Sequence, residues 1–207
     1  MTTGPFRVEV CGGIASGKTT LGALGIAAGY SVLLEDFHEN PFWRAFYADP
    51  KRHAFETEVT FLLQHYHAVR AQRGPAPLIC DFAFILDRSY ADVTLDASAR
   101  EGFEAVYQYV ADHVGSPDFL IYLRCSARTE LARIRRRART PEAGIEEGYL
   151  TALKAAVERR VEAACTQNIS MLCIDSERQD FANDSNTRGD LVALLRDLIS
   201  YFASRSA

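Results

Sequence analysis

No apolar run in this chain approaches the roughly 20 residues needed to cross a bilayer. No charged-then-apolar leader precedes the first strand-like segment either, so the expectation is a soluble protein without a membrane partner. A surplus of positive charge is also missing. The formal net charge of −4 gives no general reason for a polyanionic partner, which disfavours nucleic acid and leaves any basic cluster to act locally. The five cysteines include no C-x-x-C pair, and four of them (Cys11, Cys80, Cys125, Cys173) fall in apolar, strand-like runs, as reduced thiols packing as small hydrophobes do. A reducing cytoplasm is the expected compartment. His65 and His67 stand without metal-ligand spacing, and there is no N-K-x-D motif, which weighs against a guanine-reading switch protein. Internal repeats and low-complexity tracts are absent as well.

What the chain has is enough apolar residue for one core: 207 residues, 48% hydrophobic, read as a single domain over 1–207. The short apolar runs 7–11, 31–34, 77–80, 119–123 and 171–174 alternate with longer helical patterns. This predicts an α/β fold with a five-stranded, mainly parallel sheet covered by helices on both faces. Asn40-Pro41 reads as an N-cap with proline in the first helical position, and Asp49-Pro50 repeats the device before a long helix reaching about Gln72. Arg73-Gly74-Pro75 is expected to stop that helix. The polar stretch 176–188 reads as a loose segment leading into a last helix at about 191–202.

The strongest chemical signal is the strand Val8-Glu9-Val10-Cys11 breaking into Gly12-Gly13-Ile14-Ala15-Ser16-Gly17-Lys18-Thr19-Thr20. This G-x-x-x-x-G-K-T loop, followed by a helix-prone segment, is a site for a nucleoside triphosphate. Backbone N–H groups curl round the phosphates, Lys18 reaches the β and γ oxygens, and the Thr19 hydroxyl can ligate Mg²⁺.

In an open parallel sheet, ligands gather beyond the carboxyl ends of the strands. The residues there are mostly acidic: Glu35 and Asp36 after the second run, Asp81 after the third, Asp175 after the fifth. A carboxylate beside such a loop can hold Mg²⁺ through water or take a proton from an attacking hydroxyl; for Asp175 the expected role is only capping or solvation. The segment Arg133-Ile134-Arg135-Arg136-Arg137-Ala138-Arg139 concentrates cations in an otherwise acidic chain, and reads either as a lid over phosphates, at about 133–146, or as a solvated basic face. On a helix Arg133 and Arg137 share a side, while Arg135, Arg136 and Arg139 point elsewhere. The long helix carries Phe55, Val59, Leu62, Tyr66 and Val69 as a core stripe, interrupted by Glu58, which must meet either a ligand or an internal partner.

Taken in order, these segments resemble the deoxynucleoside kinase family over nearly the whole chain. Leu34-Glu35-Asp36-Phe37 with Asn40-Pro41-Phe42 is similar to the post-strand glutamate and N-P-F/Y segment of its bacterial purine-nucleoside branch. Phe46-Tyr47-Ala48-Asp49-Pro50 running on to Glu58 resembles its F-Y-x-D-P stretch, and the arginine segment with Tyr149-Leu150 resembles its lid and the Y-L that follows. The resemblance implies a γ-phosphoryl transfer from ATP, assisted by Mg²⁺, to the 5′-hydroxyl of a deoxynucleoside, in a homodimer formed through helices beside the sheet. It implies that Glu35 accepts the hydroxyl proton and Tyr47 meets the sugar 3′-hydroxyl. Asp81 then stands near Mg²⁺, Arg133, Arg137 and Arg139 are lid arginines, and Glu58 replaces a glutamine that reads the base. An ionised Glu58 offers only acceptors, which favours deoxyguanosine.

The chain also departs from that pattern. Phe82 stands where an arginine is expected after Asp81, although Asp87-Arg88-Ser89 spells a similar triplet and offers Asp87 and Arg88 to the substrate site. Gly148 replaces an acidic contact to the sugar, with Glu147 as a possible substitute, and His65 replaces an arginine used near the base by some relatives. Two other readings stay open: a kinase for a nucleotide or another small hydroxyl compound, and a nucleotide-binding regulatory protein with weak or no catalysis.

Overall fold

The computed structural model describes residues 5–72 and 75–203. Five strands are present among them: β1 (Arg7–Cys11), β2 (Ser31–Leu33), β3 (Leu78–Cys80), β4 (Phe119–Arg124) and β5 (Met171–Asp175). The helices, in chain order, are α1 (Lys18–Ala28), α2 (Trp43–Ala48), α3 (Pro50–Ala71), α4 (Phe84–Thr94), α5 (Ala97–Val114), α6 (Ala127–Arg137), α7 (Glu147–Thr166) and α8 (Ser185–Ala203). The sheet is parallel throughout, in the order β2-β3-β1-β4-β5. Connections from β1 therefore leave to one side and return to the other, and the loop after β1 opens where the strand order reverses, the place where α/β sheets bind ligands.

Alternation along the strands builds the two layers. Val8 and Val10 of β1, with Ile121 and Leu123 of β4, pack under α1 and α8. Cys11, Leu120 and Tyr122 point the other way, into the layer of α4, α6 and α7. A third cluster joins α2, α3, α4 and α5 around Leu62, Phe103 and Tyr107. On the inner face of β1 the charged pair Arg7 and Glu9 is also buried, Nε to Oε1 3.0 Å. Arg7 donates to the carbonyls of Val114 and Gly115 at the end of α5, and the other oxygen of Glu9 accepts from the Phe84 N–H that starts α4. Each polar atom of the pair thus has a partner, as burial requires.

Several boundaries shift from those expected. The Asn40 side chain accepts from Phe42 N–H and donates to the Thr57 carbonyl, so it ties the loop to α3, and α2 begins only at Trp43. Asp49 does cap α3, accepting from Arg52 N–H, with Pro50 in its first turn. The turn expected at Arg73-Gly74 lies outside the described residues. Two corrections concern packing: Phe55 is exposed, because the buried side of α3 runs through Ala54, Glu58, Leu62 and His65; and Cys173, on the edge strand, is exposed too. The segment expected to be loose carries the buried Phe181, and the helix after it starts earlier, at Ser185.

Candidate active site

The loop after β1 closes around its own geometry. Gly17 takes φ +112° to enter α1, a conformation that strains any side chain, and a Cβ on Gly13 would stand 2.2 Å from Oε1 of Glu130, whose carboxylate would have to move aside. Lys18 lies back along the loop and donates to the carbonyls of Gly12 and Gly13 at 2.9 and 3.0 Å. Residues Ile14 to Thr20 form one wall of a cleft of about 910 Å³, large enough for a nucleoside and a triphosphate together.

The opposite wall gathers Glu35 from the end of β2, Tyr47 from α2, Glu58 and His65 from α3, and Asp87 and Tyr90 from α4. Glu35 faces His65, Oε1 to Nε2 3.2 Å. Burial opposes ionisation of Glu35, but His65, Lys18 and Arg139 outweigh it and hold the carboxyl below its usual range. Glu58 has the opposite balance. Its side chain is buried with a hydroxyl as hydrogen-bonding partner, Thr94 Oγ1 at 3.1 Å, and burial pushes its carboxyl up to about 8 despite that bond. The same hydroxyl lies 2.9 Å from the Tyr90 carbonyl, so its single proton cannot serve both acceptors.

The arginine segment forms the cleft's cover. Arg133 donates to the carbonyls of Ala15, Ser16 and Ser176, joining α6 to the phosphate loop and to the turn after β5. Arg137 pairs with Glu142 at 2.6 Å, and Arg139 lies 3.5 Å from the same carboxylate and 4.2 Å above the Phe37 ring. Helical arithmetic misjudged two of these positions. Arg136 also lines the cleft, and Arg139 reaches it because Ala138, with φ +52°, ends the helix in a left-handed turn and redirects the chain.

Other expected site residues fall elsewhere. Arg88 is turned away: it pairs bidentately with Glu104 of α5 and lies over the Tyr107 ring, outside the cleft lining. Glu147 is exposed at the start of α7 and takes no part, whereas Tyr149, two residues on, points a buried, unpartnered hydroxyl at the cleft. Asp36 and Asp175 cap local turns, accepting backbone N–H groups of His38 and of Glu177 and Arg178. Asp81 lies beneath the cleft wall, accepting from Glu35 N–H through one oxygen while the other, also buried, lacks a partner. The sequence did not flag Trp43, Phe61, Tyr90 or the loop of Asp180, Phe181 and Asn183 as lining residues, and it marked Phe82 only as a departure from the family pattern. Aromatic residues carry no polar signature that separates a site wall from a core.

Among the described residues no three His, Cys, Asp or Glu side chains converge as a protein-only metal cage. The donor set suits Mg²⁺ nonetheless. This ion keeps much of its water and takes phosphate oxygens, so the Thr19 hydroxyl and the unpartnered oxygen of Asp81 beside it are a fitting protein share.

Comparison with known proteins agrees with this geometry. In sequence, the chain is 29% identical to deoxyguanosine kinase of Bacillus subtilis (strain 168) over 210 residues, covering 96% of this chain and all of the relative. It is 27% identical to deoxyadenosine kinase of Dictyostelium discoideum over 154 residues, 70% of this chain and 62% of that one. In fold, the deoxyadenosine kinase from M. mycoides with bound dCTP superposes with a TM-score of 0.78 at 23% identity, covering 94% of this chain and 99% of the other. The family model for deoxynucleoside kinase matches residues 8–200, and with this phosphate loop and cleft the chain belongs to the deoxynucleoside kinase family of ATP-dependent nucleoside kinases.

Proposed function

We propose that the protein transfers the γ-phosphoryl group of ATP to the 5′-hydroxyl of a purine deoxynucleoside. The observation that carries this reading is one cleft with a phosphate loop and arginines on one side and, on the other, an ionised Glu35 leading into a wall of Tyr47, Glu58 and Phe61. The names of the relatives, deoxyguanosine and deoxyadenosine kinases, support a purine.

In the proposed reaction, the loop amides and Lys18 hold the β and γ phosphates, and Glu35 hydrogen-bonds the 5′-hydroxyl in line with the γ phosphorus. As the new O5′–P bond forms and the bond to the bridging oxygen breaks, ADP leaves with the electron pair and Glu35 takes the hydroxyl proton. Arg133, Arg137 and Arg139 offset charge on the phosphoryl oxygens. Thr19 and Asp81 would hold Mg²⁺, which supplies further charge neutralisation at the phosphates. Tyr47 would meet the sugar, and Glu58 would read the base.

We place the homodimer contact on α3 and α5, where Phe55, Leu63 and Tyr109 stand exposed; Leu63→Glu should yield a monomer by light scattering. No described helix is long and apolar enough to cross a membrane, and the described cysteines are free, which supports action in the cytoplasm. The test of the main reading is ADP formation from ATP with a panel of deoxynucleosides, nucleotides and sugars. Turnover dependent on a purine deoxynucleoside supports it; turnover with a nucleotide instead, or binding without turnover, removes it.

A further inference from the structure

The Glu35 reading has a gap that the structure fills from an unexpected direction. At position 82, just past the end of β3, stands an aromatic ring. Phe82 is buried and stacks flat on the imidazole of His65, ring centres 3.9 Å apart and planes within 5°. Phe61 covers the imidazole from α3, ring centres 6.1 Å apart. Held in that plane, the imidazole presents Nδ1 to Asp87 Oδ2 at 2.9 Å and Nε2 to Glu35 Oε1 at 3.2 Å.

A neutral imidazole carries one N–H and one lone pair, so one of these two carboxylates would face a lone pair at close range. The doubly protonated ring hydrogen-bonds Asp87 through Nδ1 and sets a positive charge against Glu35 at Nε2, whose own N–H is buried without a hydrogen-bond partner of good geometry. We propose that His65 is a positioning residue for the reaction: a buried imidazolium, clamped by Phe82, that holds Glu35 aimed at the acceptor hydroxyl, with Asp87 as its anchor. The proposal rests on the reading of Glu35 as proton acceptor.

The surrounding charges support it. Facing the ring are Asp87 from α4 and Glu35 from the end of β2, with Glu58 on its own helix, Asp81 below Glu35, and Glu9 of β1 acting on Asp87. Lys18 acts on both Glu35 and Asp87 and Arg139 on Glu35, while the imidazole is the positive group packed between these carboxylates. Burial opposes the charged ring, but the two carboxylates outweigh it and push His65 up to about 10.

The test combines kinetics and spectroscopy on the full chain. Histidine-selective nitrogen NMR should show the His65 imidazole, assigned by its loss in His65→Gln, doubly protonated from pH 6 to 9. The variant His65→Gln keeps a donor for Asp87 but no charge. It should lower kcat at least tenfold with KM for ATP within about twofold, because Glu35 is then no longer held toward the acceptor. His65→Arg should restore the charge and most of kcat. A neutral imidazole at pH 7.5, an unchanged kcat in His65→Gln, or His65→Arg no better than His65→Gln overturns the proposal. If His65→Gln does not fold, the imidazole of the parent, assigned by its loss in His65→Arg, decides alone. Failure of the underlying reading looks different: Glu35→Gln with parental turnover removes the bridge's purpose while the imidazole stays doubly protonated.

Discussion

The environment of Glu58 makes base preference depend on pH. Held near 8 by burial, with a hydroxyl rather than a cation against it, the carboxyl is mostly protonated at neutral pH. A protonated carboxyl offers one donor and one acceptor, the complement of adenine N1 and N6; the carboxylate offers acceptors only, the complement of guanine N1–H and N2–H₂. The deoxyguanosine preference expected from an ionised Glu58 thus becomes a preference that crosses over. If each form accepted one base alone, the kcat/KM ratio of deoxyguanosine to deoxyadenosine would follow the ionised-to-protonated ratio and rise about tenfold per pH unit. An unpaired buried acceptor costs about 1–3 kcal/mol, which limits discrimination by each form to roughly 5- to 150-fold. With a midpoint at about 8, the ratio then rises roughly ten- to hundredfold from about pH 6.5 to 8.5. The assay is a competition between the two nucleosides in one vessel, so that pH effects on Glu35, His65 and ATP binding cancel in the ratio. Glu58→Gln, which cannot ionise, should favour deoxyadenosine at a ratio that stays flat. A flat ratio in the parent, or a variant that tracks the parent, would refute the reasoning.

Three further outcomes are expected. Lys18→Ala should weaken ATP use, while Glu35→Gln should depress turnover with ATP affinity largely kept, as separate titrations of nucleotide binding and single-turnover rates would show. Hydrogen exchange over 133–145 should slow when ATP and nucleoside bind together, since the lid arginines then have phosphates to close on; unchanged protection would make the segment a static basic face. Arg88→Ala should leave both KM values within about twofold and cost only modest stability, because its partner Glu104 lies outside the cleft and both groups are partly exposed; a large rise in nucleoside KM would return Arg88 to the site.

Legibility from the sequence followed the kind of physics involved. The phosphate loop, the five strands and the long helix were readable because each rests on local pattern: glycine spacing, short apolar runs, a capping Asp49-Pro50. Residues placed by the end of a strand, such as Glu35, were readable for the same reason. The fate of Arg88 was not, since it depends on Glu104 arriving from another helix. Side counting on a helix turned Arg139 away from the lid to which the resemblance assigned it, because one left-handed residue, Ala138, breaks the rotation on which that counting relies. His65 stood out in the sequence only as a replacement for an arginine near the base, and its meaning appears only when β2, β3 and α4 deliver Glu35, Phe82 and Asp87 around it. Long-range convergence of this sort leaves no periodic trace.

The buried pair Arg7 and Glu9 has a consequence for how inactive variants of this protein should be interpreted. Through Glu9 the pair fixes the first N–H of the helix that carries Asp87, and through Arg7 it fastens the tail of α5 to the central strand. Removing the arginine strands a carboxylate under the floor of the cleft, at a cost of about 3–5 kcal/mol for a broken buried pair. A mutational scan would then score Arg7, which touches no part of the cleft, alongside residues that line it. Only an abundance measurement, read separately from turnover per folded molecule, would tell the girder from the machinery it supports.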